Sequence, residues 1–125
     1  MNSQLVQLYN TDGLDKALSQ SFERLVVLFK HSVTCPISTM AHDEFRSYLK
    51  DSPGEVSHYM LTVQASRDVS NEIESRLGVR HESPQVIFVK DGSAVWNESH
   101  SFITSEKLRS KASKYSPAQE TVASS

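Results

Sequence analysis

The length, composition and charge of the chain restrict the classes of function open to it. With 125 residues it fits one domain, large enough to bury a core without disulfides or a structural metal. The net charge of −2, without a Lys/Arg cluster, argues against nucleic acid as the main partner. No apolar run approaches the roughly 20 residues that span a bilayer, and Met1 to Gln4 lack the features of a secretory leader. One cysteine cannot form an internal disulfide. We therefore expect a cytoplasmic monomer that binds neither nucleic acid nor membrane.

The first half of the chain alternates strand-like and helix-like segments. Residues 5–9 predict a short edge strand, and the apolar, β-branched residues 24–30 predict a strand buried on both faces. Between them, apolar residues at helical spacing predict a helix capped by Thr11 or Asp12. A second helix is predicted from Pro36 to about Lys50, with apolar positions at Ile37, Met40, Ala41, Phe45, Tyr48 and Leu49. The segment Asp51-Ser52-Pro53-Gly54 ends it.

The second half predicts a strand, a helix and then a hairpin. Residues 56–63 form the strand candidate, and Ser66 or Asp68 can cap a helix that ends before Gly78. The dipeptide Asp91-Gly92 predicts a two-residue turn that joins two antiparallel strands, residues 86–90 and 94–98.

The last helix begins after Thr104, with Ile103 and Leu108 as a hydrophobic staple. Residues 1–115 are expected to form the domain, and residues 116–125, which lack apolar periodicity, a flexible tail. The predicted order is β-α-β-α-β-α-β-β-α, an α/β fold with a mixed central sheet flanked by helices. This is the thioredoxin-like architecture. Pro84, just before a strand expected to pair on both sides, suggests a cis Ser83-Pro84 bond.

The single cysteine, Cys35, stands between a predicted strand and the helix that Pro36 opens. A thiol at the first turn of a helix lies near unpaired backbone N–H groups and the positive end of the helix dipole, which favour the thiolate. The alternative is that Cys35 is a small buried hydrophobe. Its polar predecessors and the following proline favour a reactive thiol.

Two segments carry a resemblance to a known family. The run from Phe29 to Ser38, with its Thr-Cys-Pro-Ile core, and the run from His81 to Gln85 resemble the monothiol bacilliredoxins, of the YtxJ or BrxC type. The resemblance extends over roughly residues 3–112. It implies a thioredoxin-fold oxidoreductase that removes the low-molecular-weight thiol bacillithiol from protein cysteines and becomes a mixed disulfide itself. S-bacillithiolated proteins would be its partners, with bacillithiol as co-substrate and no other cofactor.

The resemblance also implies roles for individual residues. Cys35 is the nucleophile; its thiolate is stabilised by backbone N–H groups of Ile37 and Ser38 and by a hydroxyl of Thr34 or Ser38. Because Ser38 stands where a dithiol protein has its second cysteine, a low-molecular-weight thiol or a reductase must regenerate Cys35. Ser83, beside Pro84, would dock an extended substrate. The predicted substrate-binding residues are Thr34, Pro36, Ile37, Ser38, Ser83 and Pro84.

The remaining polar candidates have simpler interpretations. Lys30 and His31 could assist the thiol, but Lys30 is expected to be a solvated charge at the end of its strand. The five histidines show no metal-ligand spacing, so we expect surface or structural roles and no metal site. His42, two helical turns after Cys35, is too far for proton transfer in one step.

Two other functions are compatible with the same residues. One is a non-catalytic thioredoxin-fold module whose Cys35 is only passively thiolated. The other is an arsenate-reductase-like enzyme, which the sequence disfavours because no arginine cluster lies near Cys35 to hold an oxyanion.

Overall fold

The computed structural model describes residues 5–34, 36–50 and 56–116. In these residues the strands are β1 (Leu5–Gln7), β2 (Val26–His31), β3 (Ser57–Thr62), β4 (Gln85–Lys90) and β5 (Ser93–Ser99). The helices are α1 (Thr11–Gln20), α2 (Pro36–Lys50), α3 (Arg67–Leu77) and α4 (Ser105–Tyr115), with a 3-10 helix at His100–Phe102. The predicted order of strands and helices is confirmed, and the 3-10 helix is an addition to it.

The strands form one mixed sheet in the order β1-β3-β2-β4-β5. β1, β3 and β2 are parallel, whereas β4 runs antiparallel to both of its neighbours, β2 and β5. β2 is therefore the central strand, as its continuous apolar sequence predicts, and β1 lies at an edge.

Both faces of the sheet are covered by helices, and each face has its own core. Val27 and Phe29 of β2 pack with residues of α2 and α4, whereas Val26 and Leu28 pack with residues of α1 and α3. Alternate residues of a strand point to opposite faces, so β2 contributes to both cores. This arrangement brings the start of α2 and the loop before α3 to the same end of the sheet as the end of β2.

Local signals in the sequence produce the turns that were predicted. Asp91 and Gly92 both have positive φ, 54° and 79°, as a type I′ hairpin turn requires. Gly78 ends α3 in the left-handed conformation, and the Thr104 side chain accepts a hydrogen bond from the Lys107 N–H at the start of α4.

The predicted cap of α1 was wrong, and the predicted cap of α3 is confirmed in position only. The N-cap of α1 is Asn10, whose side chain accepts from the Gly13 N–H, because Thr11 is already helical. Ser66 is the N-cap residue of α3, but its side chain makes no capping bond, and its Oγ donates to the Leu8 carbonyl at 3.3 Å instead.

The predicted apolar face of α2 is confirmed at Ala41, Phe45 and Tyr48 and was wrong at Ile37 and Met40. Its buried residues are Ser38, Ala41, Phe45 and Tyr48, whereas Ile37 is 40% and Met40 63% exposed. Successive helical residues are rotated by about 100°, so Ile37 and Met40 lie beside the buried face and not on it.

Some predictions fall on other parts of the chain. The predicted helix stop at Asp51–Gly54 lies outside the described residues, as do residues 117–125 of the predicted tail. Ser116, the first residue of that tail, is described; it is buried and its N–H donates to the Ala112 carbonyl at the end of α4. Within the described residues, no helix combines the length and the apolar character needed to cross a bilayer.

Candidate active site

The residues around the predicted nucleophile lie where β2 ends and α2 begins. Cys35 itself lies outside the described residues, so the roles predicted for it stay predictions. Its two neighbours, Thr34 and Pro36, are both exposed, and α2 begins at Pro36 as predicted. The first turn of a helix presents unpaired backbone N–H groups, and Pro36, which has no N–H, takes the position where none is needed.

The Ser38 hydroxyl joins the first turn of α2 to the end of β2. Its Oγ accepts a hydrogen bond from the Ser32 N–H at 2.9 Å and lies 2.9 Å from His31 Nδ1. Ser38 is fully buried, so a hydroxyl proton without an acceptor would be costly there. His31 Nδ1 can accept that proton in the tautomer that carries its hydrogen on Nε2.

His31 is paired with a second histidine on the same face of the sheet. The rings of His31 and His42 are 4.8 Å apart, and His42 also stacks on Phe29 at 5.9 Å. Burial and the neighbouring His42 lower the pKa of His31, and burial, with Arg46, lowers the pKa of His42. Both imidazoles are thus neutral at pH 7, which agrees with a His31 Nδ1 that accepts from Ser38.

Gln64 contacts the loop before Cys35, and the sequence analysis missed it. Its Oε1 accepts from the Val33 N–H at 3.3 Å, while its Nε2 donates to Ser32 Oγ at 2.8 Å and to Thr34 Oγ1 at 3.2 Å. The sequence offered one indication of this contact. Gln64 follows β3 by two residues, and the carboxyl ends of parallel neighbouring strands such as β2 and β3 lie at the same edge of the sheet.

The Ser83–Pro84 loop lies at the same end of the sheet. The Ser83-Pro84 peptide bond is cis, as suggested from the sequence. β4 follows at once, and its first residue, Gln85, pairs with Lys30 near the end of β2. The Pro84 carbonyl accepts from the His100 N–H at 3.0 Å. The Ser83 Oγ is enclosed and has no hydrogen-bond partner among the described residues.

Lys30 is not the solvated charge that was expected. It is fully buried, because α3 covers this face of β2. Its Nζ donates to His81 Nδ1 at 3.1 Å and to the Ser70 carbonyl at 3.5 Å. Burial lowers the pKa of Lys30 to about 8, and burial together with Lys30 lowers the pKa of His81. Through its contact with His81, Lys30 therefore supports the loop that leads to Ser83 and Pro84.

His58 and His100 have structural contacts. His58 is fully buried and forms a 2.7 Å hydrogen bond through Nε2 with the Tyr48 hydroxyl, and burial lowers its pKa to about 4. His100 pairs with Glu82 at 2.9 Å. Among the described residues, no three side chains of the His, Cys, Asp or Glu type gather as a metal site would require.

The predicted site residues therefore fall into two groups at one end of the sheet. Thr34, Pro36 and Ile37 are exposed at the start of α2, and Ser83 and Pro84 belong to the neighbouring loop. Ser38 lies beneath the first group with its side chain turned inward. The hydrogen bonds of Gln64 hold Thr34 of the first group, and those of Lys30 and His81 support the loop of the second.

Comparisons with known proteins agree with this architecture. The family model for the monothiol bacilliredoxin BrxC matches residues 6–108. A solved structure described as a candidate oxidoreductase with a thioredoxin fold is 34% identical, with a TM-score of 0.74 over 86% of this chain and 92% of that one. Fasciola hepatica thioredoxin shares the fold at 20% identity, with a TM-score of 0.71 over 88% of this chain and 98% of that one. Malassezia sympodialis thioredoxin does so at 18% identity, with a TM-score of 0.72 over 92% of each chain. The chain belongs to the monothiol bacilliredoxin family of thioredoxin-fold redox enzymes.

Proposed function

We propose that this protein removes bacillithiol, or a closely related low-molecular-weight thiol, from protein mixed disulfides. The Cys35 thiolate attacks the bacillithiol sulfur of a protein–S–S–bacillithiol bond. A bond forms between Cys35 and bacillithiol, and the protein sulfur leaves as a thiolate that takes a proton from water. No net oxidation occurs, because one disulfide replaces another.

The observation that carries this proposal is the combination of the family match with a serine at position 38. A hydroxyl cannot attack a disulfide, and the Ser38 oxygen is engaged by Ser32 and His31. Cys35 is the sole cysteine of the chain, so no thiol within it can resolve the mixed disulfide. A low-molecular-weight thiol or a reductase must therefore attack it and return Cys35 to the thiol.

The required activation of Cys35 is modest. A free thiol with a pKa of about 8.5 is only about 3% thiolate at pH 7, whereas a pKa of about 6.5 gives roughly three-quarters. The difference corresponds to about 2.7 kcal/mol, within reach of a helix N-terminus and a few hydrogen bonds. The start of α2 at Pro36 supports this source of activation.

S-bacillithiolated proteins are the proposed partners, docked across the two groups of residues at this end of the sheet. The exposed Thr34, Pro36 and Ile37 would contact the substrate near its disulfide, and the Ser83 backbone would pair with an extended segment. The reaction needs bacillithiol as co-substrate and no other cofactor. It suits the reducing cytosol, where we place the protein, acting as a monomer.

The decisive experiment is a de-thiolation assay with a bacillithiolated protein and the Cys35→Ser variant. We expect the wild type to release bacillithiol from the substrate and to acquire it, by intact-mass spectrometry, while Cys35→Ser does neither. The urea midpoint of the variant should stay close to that of the wild type, because the two side chains differ by one atom.

Parallel assays with other low-molecular-weight thiols on the same substrate identify the cognate thiol. Full activity of Cys35→Ser would refute the catalytic role. Modification of wild-type Cys35 by free bacillithiol disulfide, without release of the substrate protein, would establish the passively thiolated module instead.

A further inference from the structure

His100 lies where β5 leaves the sheet, opposite the Ser83–Pro84 loop. Its N–H extends the antiparallel pairing of β4 and β5 by one bond, to the Pro84 carbonyl at 3.0 Å. Pro84 has no N–H to donate in return, so the pairing cannot continue beyond it. The His100 carbonyl accepts instead from the Ile103 N–H at 3.3 Å, which closes the 3-10 helix.

The backbone of His100 has an uncommon conformation. Its φ is 58°, in the left-handed region. Glycine adopts this region without cost, whereas a Cβ atom crowds the neighbouring carbonyl oxygen. A glycine could therefore make the same turn and the same two backbone hydrogen bonds. An imidazole held in this conformation points to a role for the side chain.

The imidazole of His100 contacts the carboxylate of Glu82, two residues before Pro84. The hydrogen bond with His100 lowers the pKa of Glu82, so that this group is ionised at pH 7. His100 Nε2 lies 2.9 Å from Glu82 Oε1, and because a carboxylate can only accept, Nε2 carries a hydrogen and donates it. His100 thus binds the loop on both sides of Ser83, at Glu82 through its side chain and at Pro84 through its backbone.

The same loop is held from the inside by Gln85. That side chain is buried, and its Nε2 donates to the Arg80 carbonyl at 2.9 Å, while its Oε1 accepts from the Glu82 N–H at 3.4 Å. Gln85 therefore fixes residues 80–82 from within the protein, and the partly exposed His100 fixes Glu82 from the solvent side. Ser83 lies between the two points that His100 contacts.

We propose that His100 is a positioning residue that holds the Ser83 backbone in the orientation in which it pairs with the substrate. The inference rests on the proposed function, in which Ser83 docks an extended segment of a bacillithiolated protein. Strand-like pairing needs backbone groups in fixed directions, and a loop anchored before and after Ser83 need not be ordered when the substrate binds. This contribution is the same in the ground state and in the transition state, so it should act on KM and not on kcat.

The first test measures the contact of His100 with the loop in the protein without substrate. In Glu82→Ala the imidazole loses its partner, and we expect the His100 amide, which donates to Pro84, to exchange with solvent about threefold faster by NMR. Glu98→Ala is the matched control, because it removes an ion pair of similar length, to Lys107 at 3.1 Å, outside this loop. Its effect on the His100 amide should be smaller.

The second test measures the steady-state de-thiolation of a bacillithiolated protein. We expect KM to rise about threefold in Glu82→Ala and in His100→Asn, at unchanged kcat. Asparagine tolerates a positive φ, but its side chain is shorter than that of histidine, so His100→Asn keeps the turn and loses the contact with Glu82. If both substitutions act through this one contact, the double variant should have the same KM as either single variant.

Three results would overturn the inference. They are equal exchange of the His100 amide in Glu82→Ala and Glu98→Ala, a KM in Glu82→Ala equal to that of the wild type, and additive effects of the two substitutions on KM. A wild type that removes no bacillithiol would refute the proposed function. The contact of His100 with the loop is decided separately, because amide exchange uses no substrate.

Discussion

Lys30 and His31 are neighbours on β2, yet they face opposite sides of the sheet and are held in different ways. Lys30 lies under α3, fully buried, with its amine on His81 and the Ser70 carbonyl. His31 lies against α2, half-buried, with its ring on Ser38 and His42. The α3 side thus buries a cation, whereas the α2 side buries neutral imidazoles.

This difference means that the two faces respond to pH in the same direction but in different pH ranges. Burial of the charged Lys30 amine destabilises the fold, and this is why its pKa is lowered. The destabilisation disappears when the amine loses its proton in alkali. The histidines of the α2 face, the half-buried His31 and His42 and the buried His58, are accommodated as neutral rings, and their protonation in acid destabilises the fold. Substitutions of the histidines and of Lys30 should therefore change the pH dependence of the free energy of unfolding in two separate ranges, one acidic and one alkaline.

The largest expected effect is that of truncating Lys30. Lys30→Ala removes a fully buried aliphatic stem and leaves a cavity, so the free energy of unfolding should fall by about 3–4 kcal/mol. Lys30→Met fills the same space without a charge and should change it by less than about 1 kcal/mol, since His81 keeps the Ser70 hydroxyl at 3.1 Å. Urea unfolding at pH 7 measures both. Equal losses in the two variants would show that the charge, and not the packing, matters.

The next effect is acid sensitivity from His58. Its pKa is about 4 in the folded protein and about 6.5 when unfolded, so the unfolded chain binds the proton first as the pH falls. Stability should be complete above about pH 6.5 and decrease by up to about 3 kcal/mol as the pH approaches 4. His58→Leu should remove most of this decrease relative to the wild type. If His58→Leu lost as much stability in acid as the wild type, the acid sensitivity would have to come from other groups.

A smaller effect of the same sign, a stability that rises with pH, is expected from Lys30 in alkali. Its pKa of about 8 lies below the unfolded value of 10.5, so between these values the unfolded chain holds more protons than the folded one. Stability should therefore rise with pH, by about 2 kcal/mol between about pH 7.5 and 9.5. Urea midpoints of the wild type and Lys30→Met, measured at both pH values, isolate this gain. An equal change of the urea midpoint with pH in the wild type and in Lys30→Met would contradict the lowered pKa of Lys30.

The smallest effect concerns the Ser38 link on the α2 side. Ser38→Ala leaves the Ser32 N–H and His31 Nδ1 without this partner, and we expect a loss of about 1 kcal/mol. Thr39→Ala, at the exposed neighbouring position, is the matched control and should cost less. Thermal unfolding of the two variants gives the comparison. A larger loss of stability in Thr39→Ala than in Ser38→Ala would contradict the structural role assigned to Ser38.

The parts of the fold that were predicted from the sequence depend on local chemistry. The turn at Asp91-Gly92 and the end of α3 at Gly78 need a backbone with positive φ, which these residues tolerate. The buried sequence of β2 and the alternation of elements were enough to indicate a mixed sheet with that strand at its centre.

The parts that were missed depend on partners far away in the chain. Lys30 is held by residues 40 and 51 positions later, so nothing within its own strand distinguishes it from a charge in solvent. Gln64 reaches a loop 30 positions earlier, through an end-of-strand neighbourhood that appears only once β2 and β3 are paired. The inward direction of Ser38 likewise became evident only when His31 was placed beside it.

The inward direction of Ser38 bears on how monothiol and dithiol redox proteins diverge. A side chain at position 38 is enclosed and points toward His31, shielded from outside reagents. A sulfur introduced there by Ser38→Cys would occupy a sheltered position and lose a hydrogen bond to the Ser32 N–H, because sulfur accepts weakly. Dependence on an external thiol thus rests on a single atom, oxygen in place of sulfur. The Ser38 oxygen also links α2 to the end of β2. Replacing it by sulfur would therefore weaken the hydrogen bonds of the helical turn that follows Cys35.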